Sequence, residues 1–292
     1  KSLGDLIRWG LERKTPEIVR IDLSDDYRQQ DLESPDPYLV WIGHATFLLN
    51  TGENRILFDP IFSDRASFST LVGPQRIIPP AIAISELPRI DAVLISHNHY
   101  DHLDTRSLEQ LHQINPDTIF MVPDGDKVHL RRAGIVNVHE FDWWESLRLH
   151  GMEFTFTPAQ HWSSRTFFDR NKSLWGGWFV REDRYAFFHA GDTGYSEDFV
   201  DIRKKLGNVD YAMIPIGAYD PRWFMSYQHV NPEEAVAIAR DINADVSFGM
   251  HWGTFVLTDE PIMEPKKRVE AAAALASIDF RVPTPGMVYF LD

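Results

Sequence analysis

Asp91-Ala92-Val93-Leu94-Ile95-Ser96-His97-Asn98-His99-Tyr100-Asp101-His102 is the stretch from which the rest of the chain is read. The β-branched, apolar run up to Ser96 predicts a short buried strand. Four side chains able to bind a metal follow within six residues. The chance odds of such a pattern are on the order of 10⁻³, so the loop is read as a metal loop. A tight turn sends His97 and His99 to one side and Asp101 and His102 to the other, which divides the ligands between two ions. Imidazole and carboxylate donors suit zinc, with iron and manganese as alternatives.

Two ions need further ligands, and other strand ends supply them. His161 follows an alternating run at 153–157, Asp192 follows the run at 184–188, and His251 follows the run at 246–250. A lone histidine after a strand is more often structural than ligating. Taken in order with the metal loop, these residues are read as one centre.

Outward from the loop, 38–49 and 55–58 read as extended segments joined by the turn Asn50-Thr51-Gly52-Glu53. Residues 2–14 carry Leu3, Leu6, Ile7 and Leu11 at helical spacing, 14–37 form a charged, proline-bearing arm, and 61–87 form a long loop. Further strands are expected at 118–122, 177–180, 211–216 and 287–291, and helices at 105–114 and 265–277. A helix from Asn231 to about residue 242 has a physical reason at each starting residue. Asn231 caps, Pro232 fits the first turn, and Glu233 and Glu234 face the positive end of the dipole. Helices lie between strands and polar residues gather just after strand ends. The expectation is an α/β fold of two sheets flanked by helices, with a site on one edge.

Composition narrows the function. The 292 residues carry a formal charge of −14, which disfavours a nucleic-acid partner. With no cysteine there is no disulfide, thiolate metal site or cysteine nucleophile. No apolar run approaches the roughly 20 residues of a membrane span. The sequence begins at Lys1, so an upstream segment is left open; the expected location is cytoplasmic or peripheral to a membrane.

Several stretches together resemble the N-acylphosphatidylethanolamine-hydrolysing phospholipase D family of the metallo-β-lactamase fold superfamily. They are Trp41-Ile-Gly-His-Ala-Thr46, Asp59-Pro-Ile-Phe-Ser-Asp-Arg-Ala-Ser67, the metal loop, Phe141-Asp-Trp-Trp-Glu145, His161-Trp162 and Ala190-Gly-Asp-Thr-Gly-Tyr195. Ile214-Pro-Ile-Gly-Ala-Tyr219, Pro221-Arg-Trp-Phe-Met-Ser-Tyr-Gln-His-Val230 and His251-Trp-Gly-Thr-Phe255 complete the set. The likeness runs from about residue 38 to 256, with a fainter echo at Ile7-Arg8-Trp9.

The resemblance implies a four-layer αβ/βα sandwich at 38–292, preceded by an N-terminal helix and arm at 1–37. It implies two zinc ions per chain: His97, His99 and His161 on one, Asp101, His102 and His251 on the other, and Asp192 bridging. It implies a phosphodiesterase of phospholipase D type, with Asp101, Asp192 and His229 catalytic, releasing N-acylethanolamine and phosphatidic acid. The chain lacks the cysteine of the superfamily's β-lactamases and the metal-loop glutamate of its redox di-iron relatives, which favours hydrolysis. A lactonase or small-ester hydrolase with a soluble substrate is the alternative.

Around the metals, His229 and Gln228 are candidate phosphate contacts, with His229 also a candidate leaving-group acid. Tyr100 and Tyr195 either donate to a phosphoryl oxygen or pack. His44 is either a partner orienting a ligand or a core histidine, and Asp59 and Asp104 are candidate carboxylates behind the ligating imidazoles. Trp223 and Phe224, with Trp162, Phe167, Phe168 and Met225, either accept acyl chains, touch a membrane interface or form core. Arg165, Arg170 and Lys172 are candidate contacts for anionic head groups. His112, His129, His139 and His150 are read as surface residues and Trp143-Trp144 as packing. The expected partner is a phospholipid or other phosphodiester, with peripheral membrane contact, no nucleic acid, and an oligomeric state left open.

Overall fold

A computed structural model describes residues 3–292; Ser2 and the side chains of Leu3 and Leu6, part of the expected N-terminal helix, lie outside the described residues. Period-two alternation builds the first sheet. In β1 (Tyr38–Gly43), Leu39 and Trp41 enter one apolar cluster while Tyr38, Val40 and Ile42 enter another, so both faces are buried. β2 (Thr46–Asn50) and β3 (Arg55–Phe58) follow antiparallel, and β4 (Ala92–Leu94), β5 (Ile119–Pro123) and β6 (Val138–Phe141) add in parallel.

The second sheet holds β7 (Ser146–Leu149), β8 (Met152–Thr157), β9 (Gly177–Arg181), β10 (Ala186–His189), β11 (Val209–Pro215), β12 (Ala244–Met250) and β13 (Phe280–Arg281). β14 (Val288–Phe290) returns to pair with β1. The strand orders are β14-β1-β2-β3-β4-β5-β6 and β13-β12-β11-β10-β9-β8-β7.

Helix α1 (Leu3–Glu12) precedes the sheets. α2 (Thr105–Ile114) and α3 (Lys127–Arg132) bury Leu108, Leu111 and Leu130 on the outer face of the first sheet, among Val40, Leu57 and Phe120. The later helices are α4 (Asp198–Leu206), the one-turn α5 (Arg222–Met225), α6 (Pro232–Asp241) and α7 (Glu264–Ala276). α4, α6 and α7 bury Phe199, Ile238 and Val269 behind the second sheet. Trp41, Phe58, Phe156 and Trp178 belong to the same cluster, which fills the space between the sheets. The stack is helix, sheet, sheet, helix, as the sequence and its resemblance lead one to expect.

The start of α6 follows the sequence reading. Asn231 accepts from the Glu234 N–H and Glu234 accepts from the Asn231 N–H, both at 2.9 Å. The expected strand at 38–49 is instead a hairpin, broken at Gly43-His44-Ala45, where His44 takes a φ of 53°. That turn carries His44 to the site edge. The proline-bearing arm has one 3₁₀ turn (Asp26–Arg28) and is bonded into the body: Ser24 N donates to Pro285 O and Val288 N to the Asp26 carboxylate. β6, β7, α3, α4 and α5 carry no strong period in sequence and were not expected.

Candidate metal centre

Loops from both sheets converge on one edge. The metal loop leaves β4, His161 follows β8, Asp192 follows β10, His251 follows β12, and His44 tips the β1–β2 turn. Gly191 lets β10 exit there: its φ is +60°, and a Cβ would sit 2.5 Å from Gly176 O and 2.7 Å from Ser96 Cβ.

The side chains gather in three groups: His97, His99, His161 and Asp192; His44, Asp101, His102 and His251; and Asp192, His229 and His251, which shares a residue with each of the other two. In the first, His99 Nδ1 lies 2.8 Å from His97 Nε2 and 3.3 Å from His161 Nε2. Asp192 Oδ2 lies 3.8 Å from His161 Nε2 and 3.9 Å from His97 Nε2. In the second, Asp101 Oδ2 is 3.3 Å from His251 Nε2 and 3.6 Å from His102 Nε2. Asp192 reaches this group as well, with Oδ2 3.3 Å from His102 Nε2 and Oδ1 3.1 Å from His251 Nε2.

These spacings fit metal ions. A tetrahedral zinc with bonds of about 2.0–2.1 Å holds its ligands about 3.3 Å apart. Asp192 Oδ1, His102 Nε2 and His251 Nε2 are also buried with no hydrogen-bond partner among the described residues. Bare buried polar atoms of this kind cost about 1–3 kcal/mol each, and cations would relieve that cost.

Outer partners fix which nitrogen faces inward. His102 Nδ1 donates to Asp59 Oδ2 at 2.7 Å, and Asp59 also accepts from Ser96 N and Ser96 Oγ. His97 Nδ1 donates to Ser96 Oγ, and His161 Nδ1 donates to Gln228 O, each at 2.9 Å. Each bond leaves an Nε2 lone pair pointing into the centre. His44 Nε2 donates to Asp101 Oδ2 at 2.9 Å, so it orients that carboxylate and is not a bystander in the core. Asp59 is the expected carboxylate behind an imidazole; Asp104 is not. Asp104 accepts from Ser63 N and Ser107 Oγ instead, because it sits at the start of α2.

Charges follow burial and pairing. Burial opposes ionisation of Asp192 and Asp101. The His251 and His102 charges beside Asp192, and the His102 charge with the close contacts of His251 and His44 at Asp101, hold both carboxyls well below their usual range.

His229 stands beside the centre, with Nδ1 3.9 Å from Asp192 Oδ2 and without a hydrogen-bond partner among the described residues. Its position is set by the α6 cap. Arg222 donates to both Glu234 oxygens at 2.9 and 2.7 Å and to the His229 carbonyl at 2.8 Å. Arg222 was not singled out in the sequence, and Glu234 only as a first-turn acid of the helix, since an ion pair between residues apart in the chain has no local signature.

A cavity of about 420 Å³ opens over the metal groups, lined by His99, Asp101, Asp192, His229 and His251 at its base. Its walls include Trp9, Tyr100, Trp162, Phe224, Met225 and Leu257. Trp9 comes from α1 and stacks on Phe224 with centroids 5.1 Å apart. The aromatic wall therefore joins the N-terminal helix to α5.

Two expected substrate contacts are placed elsewhere, and a third has its hydroxyl occupied. Tyr195 donates its hydroxyl to Asp241 at the end of α6 and does not line the cavity. Trp223 turns outward under the Arg8 guanidinium, 4.2 Å from the ring centroid. Tyr100 lines the cavity with its ring, but its hydroxyl is held by Arg165 O at 2.9 Å. Gln228 lines the cavity, and its carbonyl holds His161.

Arg165 is no head-group contact. Its guanidinium lies 4.1 Å from the Tyr100 ring centroid and donates to Asn98 O and Leu103 O at 2.9 and 2.8 Å. Arg170 lies over Trp162 at the cavity wall and Lys172 is exposed. Trp143 and Trp144 pack against the core as expected, and His139 and His150 are exposed, but His112 and His129 are half-buried.

The comparisons agree with this geometry. A family model described as a β-lactamase superfamily domain matches residues 54–252. N-acyl-phosphatidylethanolamine-hydrolyzing phospholipase D 1 of Caenorhabditis elegans is 39% identical over 244 residues, covering 80% of this chain and 68% of the worm protein. The mitochondrial N-acyl-phosphatidylethanolamine-hydrolyzing phospholipase D of Saccharomyces cerevisiae is 40% identical over 243 residues, 81% of this chain and 52% of its own. Among solved structures, the metallo hydrolase Igni18 of Ignicoccus hospitalis superposes with a TM-score of 0.67 at 22% identity, covering 88% of this chain and 98% of that one. The chain thus spans about two thirds of the worm relative and half of the yeast one, and it belongs to the N-acyl-phosphatidylethanolamine-hydrolysing phospholipase D family of metallo-β-lactamase-fold hydrolases.

Proposed function

We propose that the chain is a dinuclear zinc phosphodiesterase of phospholipase D type. It would cleave N-acylphosphatidylethanolamine or a similar lipid, adding water to give phosphatidic acid and N-acylethanolamine. The observation that carries this reading is the placement of Asp192 between two donor groups at the floor of an aromatic-walled cavity. His97, His99 and His161 would hold one ion, Asp101, His102 and His251 the other, with Asp192 shared. When bound, two such ions lower the pKa of a water toward neutrality and offset charge developing on phosphoryl oxygens.

The chain's own residues do the rest. Burial holds the His229 pKa well below the usual range, so it meets the substrate as a neutral imidazole. With its proton on Nδ1 it is a hydrogen-bond donor to a phosphoryl oxygen rather than a charged acid. Trp9, Phe224 and Met225 give an acyl chain apolar surface beside that donor. Residues 38–292 make up the hydrolase domain in this reading, and 1–37 an arm that delivers Trp9.

The test compares the purified, zinc-loaded protein on N-acylphosphatidylethanolamine, a short soluble phosphodiester and a lactone. Both phosphodiesters should be hydrolysed in preference to the lactone, with two metal ions per chain by elemental analysis. A preference for the lactone would replace this reading with that of a small-ester hydrolase.

A further inference from the structure

The metal loop carries one buried polar side chain that belongs to none of the donor groups. Asn98, between His97 and His99, is 2% exposed and donates from Nδ2 to Asp126 Oδ1 at 2.9 Å. Asp126 is itself 0% exposed. It stands at the N-cap of α3, where an aspartate ordinarily accepts from N–H groups of the first turn. It makes no such bond. Glu140 of β6 takes over that part, its Oε1 accepting from Gly125 N and Lys127 N at 3.0 and 3.1 Å. The Asp126 carboxyl is thereby released to the metal loop. The turn that aims it is closely packed: Gly125 takes a φ of +93°, and a Cβ there would sit 2.9 Å from both Lys172 O and Ser173 Oγ.

Two bare atoms remain at this contact. Asn98 Oδ1 and Asp126 Oδ2 are buried without a hydrogen-bond partner among the described residues. With the carboxyl ionised both are acceptors, and neither can satisfy the other. One proton on Oδ2 turns it into a donor for the amide oxygen and removes both deficits. Charge points the same way. Burial opposes ionisation most and Glu140 adds to it, while the Ser173 hydroxyl, Asn98 and the Arg165 guanidinium act against them; the balance lifts the carboxyl to about 7. A bond donated by the neutral acid lifts it further.

We propose that Asp126 is a positioning residue of the metal centre, joined to Asn98 as a neutral acid–amide pair that fixes the peptide between His97 and His99. Arg165 holds the Asn98 carbonyl at 2.9 Å, so the backbone and the side chain of this one residue are both tied. The spacing of two ligands assigned to one ion then depends on a proton held outside the cavity. The proposal rests on the dinuclear reading for the ion it affects, and not on the phosphodiesterase activity.

The experiment compares three zinc-loaded proteins: native, Asp126→Asn and Asp126→Leu. Asparagine supplies the same donor and acceptor without a titrating proton, and leucine supplies neither. The infrared difference, native minus Asp126→Asn, should contain the carbonyl stretch of a protonated carboxylic acid at about pH 6 and lose it above about pH 8. In dialysis against a graded chelator at the lower pH, Asp126→Asn should hold both ions as the native protein does. Asp126→Leu should hold the ion assigned to His97, His99 and His161 roughly 10-fold more weakly. At the higher pH the native protein should fall behind Asp126→Asn, because ionisation opens the pair in one and not in the other. An ionised carboxylate at the lower pH would overturn the proposal. So would an Asp126→Asn protein that loses zinc as Asp126→Leu does, since the charge and not the pair would then be what counts. If the leucine variant does not fold, the infrared band and the pH dependence of native against Asp126→Asn still decide the matter. A native protein that shows the band and the pH dependence but cleaves no phosphodiester would leave the pair standing and remove the phosphodiesterase reading.

Discussion

Asp192 presents Oδ1 to His251 and Oδ2 to His102, His97 and His161, so one carboxylate answers both donor groups. Asp192→Asn removes its charge and replaces one oxygen by an amide that cannot serve as a donor to a cation. Both ions should then bind more weakly, each by roughly 10-fold or more, as read by metal content after dialysis against a graded chelator. Loss of one ion alone would make Asp192 a terminal ligand. Asp59 acts on one side only, through its 2.7 Å bond to His102. Asp59→Asn should weaken the ion beside His102 by about 10–100-fold and leave the His97, His99, His161 group loaded. His229 is assigned to the substrate and not to an ion, its Nδ1 lying 3.9 Å from Asp192 Oδ2. His229→Ala should keep full metal content and lower phosphodiester turnover by roughly 10²-fold, the low end for removing a positioned donor.

The metal loop is held by a brace from another element. Arg165 donates from Nη1 to Asn98 O and Leu103 O, carbonyls on either side of His99, Asp101 and His102, and packs on Tyr100 between them. A lysine there lacks the planar group that stacks on the ring while bonding both carbonyls. Arg165→Lys should therefore destabilise the metal-loaded protein by about 2–3 kcal/mol in urea, the scale of a lost buried charge-assisted bond. It should also shift the visible spectrum of the cobalt-substituted form, because the ligand spacing is no longer fixed. This brace was invisible in the sequence, where Arg165 reads as a contact for anionic head groups. What was legible was local: residue types able to hold a metal at strand ends, the Asn231 cap, the alternation in β8. What was not legible depended on partners far along the chain or on backbone shape. Tyr195 is turned away by Asp241, Tyr100 is occupied by Arg165, and Trp9 reaches the cavity only by stacking on Phe224. The hairpin at His44 needs a positive φ at a residue other than glycine, which no composition signal marks.

Taken together, the buried imidazoles make the metal-free protein a sensor of pH. Burial lowers every one of them, but Asp192 and Asp101 overcome it at His251, raised to about 9, and at His102, raised well above the usual range. At the others burial wins, leaving His99 at about 4, His44 and His161 at about 3, and His97 and His229 well below the usual range. Between about pH 9 and 6.5 the folded chain binds protons at His251 and His102 that the unfolded chain does not, so stability rises as pH falls. Below about 6.5 the unfolded chain protonates the other group and the folded chain does not, so stability then falls. Asp101 and Asp192, depressed well below 3.8, contribute stability throughout this window and lose it only in stronger acid. The melting temperature of chelator-treated protein should therefore peak near pH 6.5 or just above, with the steeper loss on the acid side. Loading with zinc reverses the alkaline limb, because His251 and His102 must give up their protons to serve as ligands. Proton release on zinc binding, read by titration calorimetry in buffers of different ionisation enthalpy, should be largest near neutral pH and fade above about pH 9. A flat melting profile from about pH 5 to 8 would mean that the imidazoles stay solvated without metal, and that the ions assemble the centre instead of filling it.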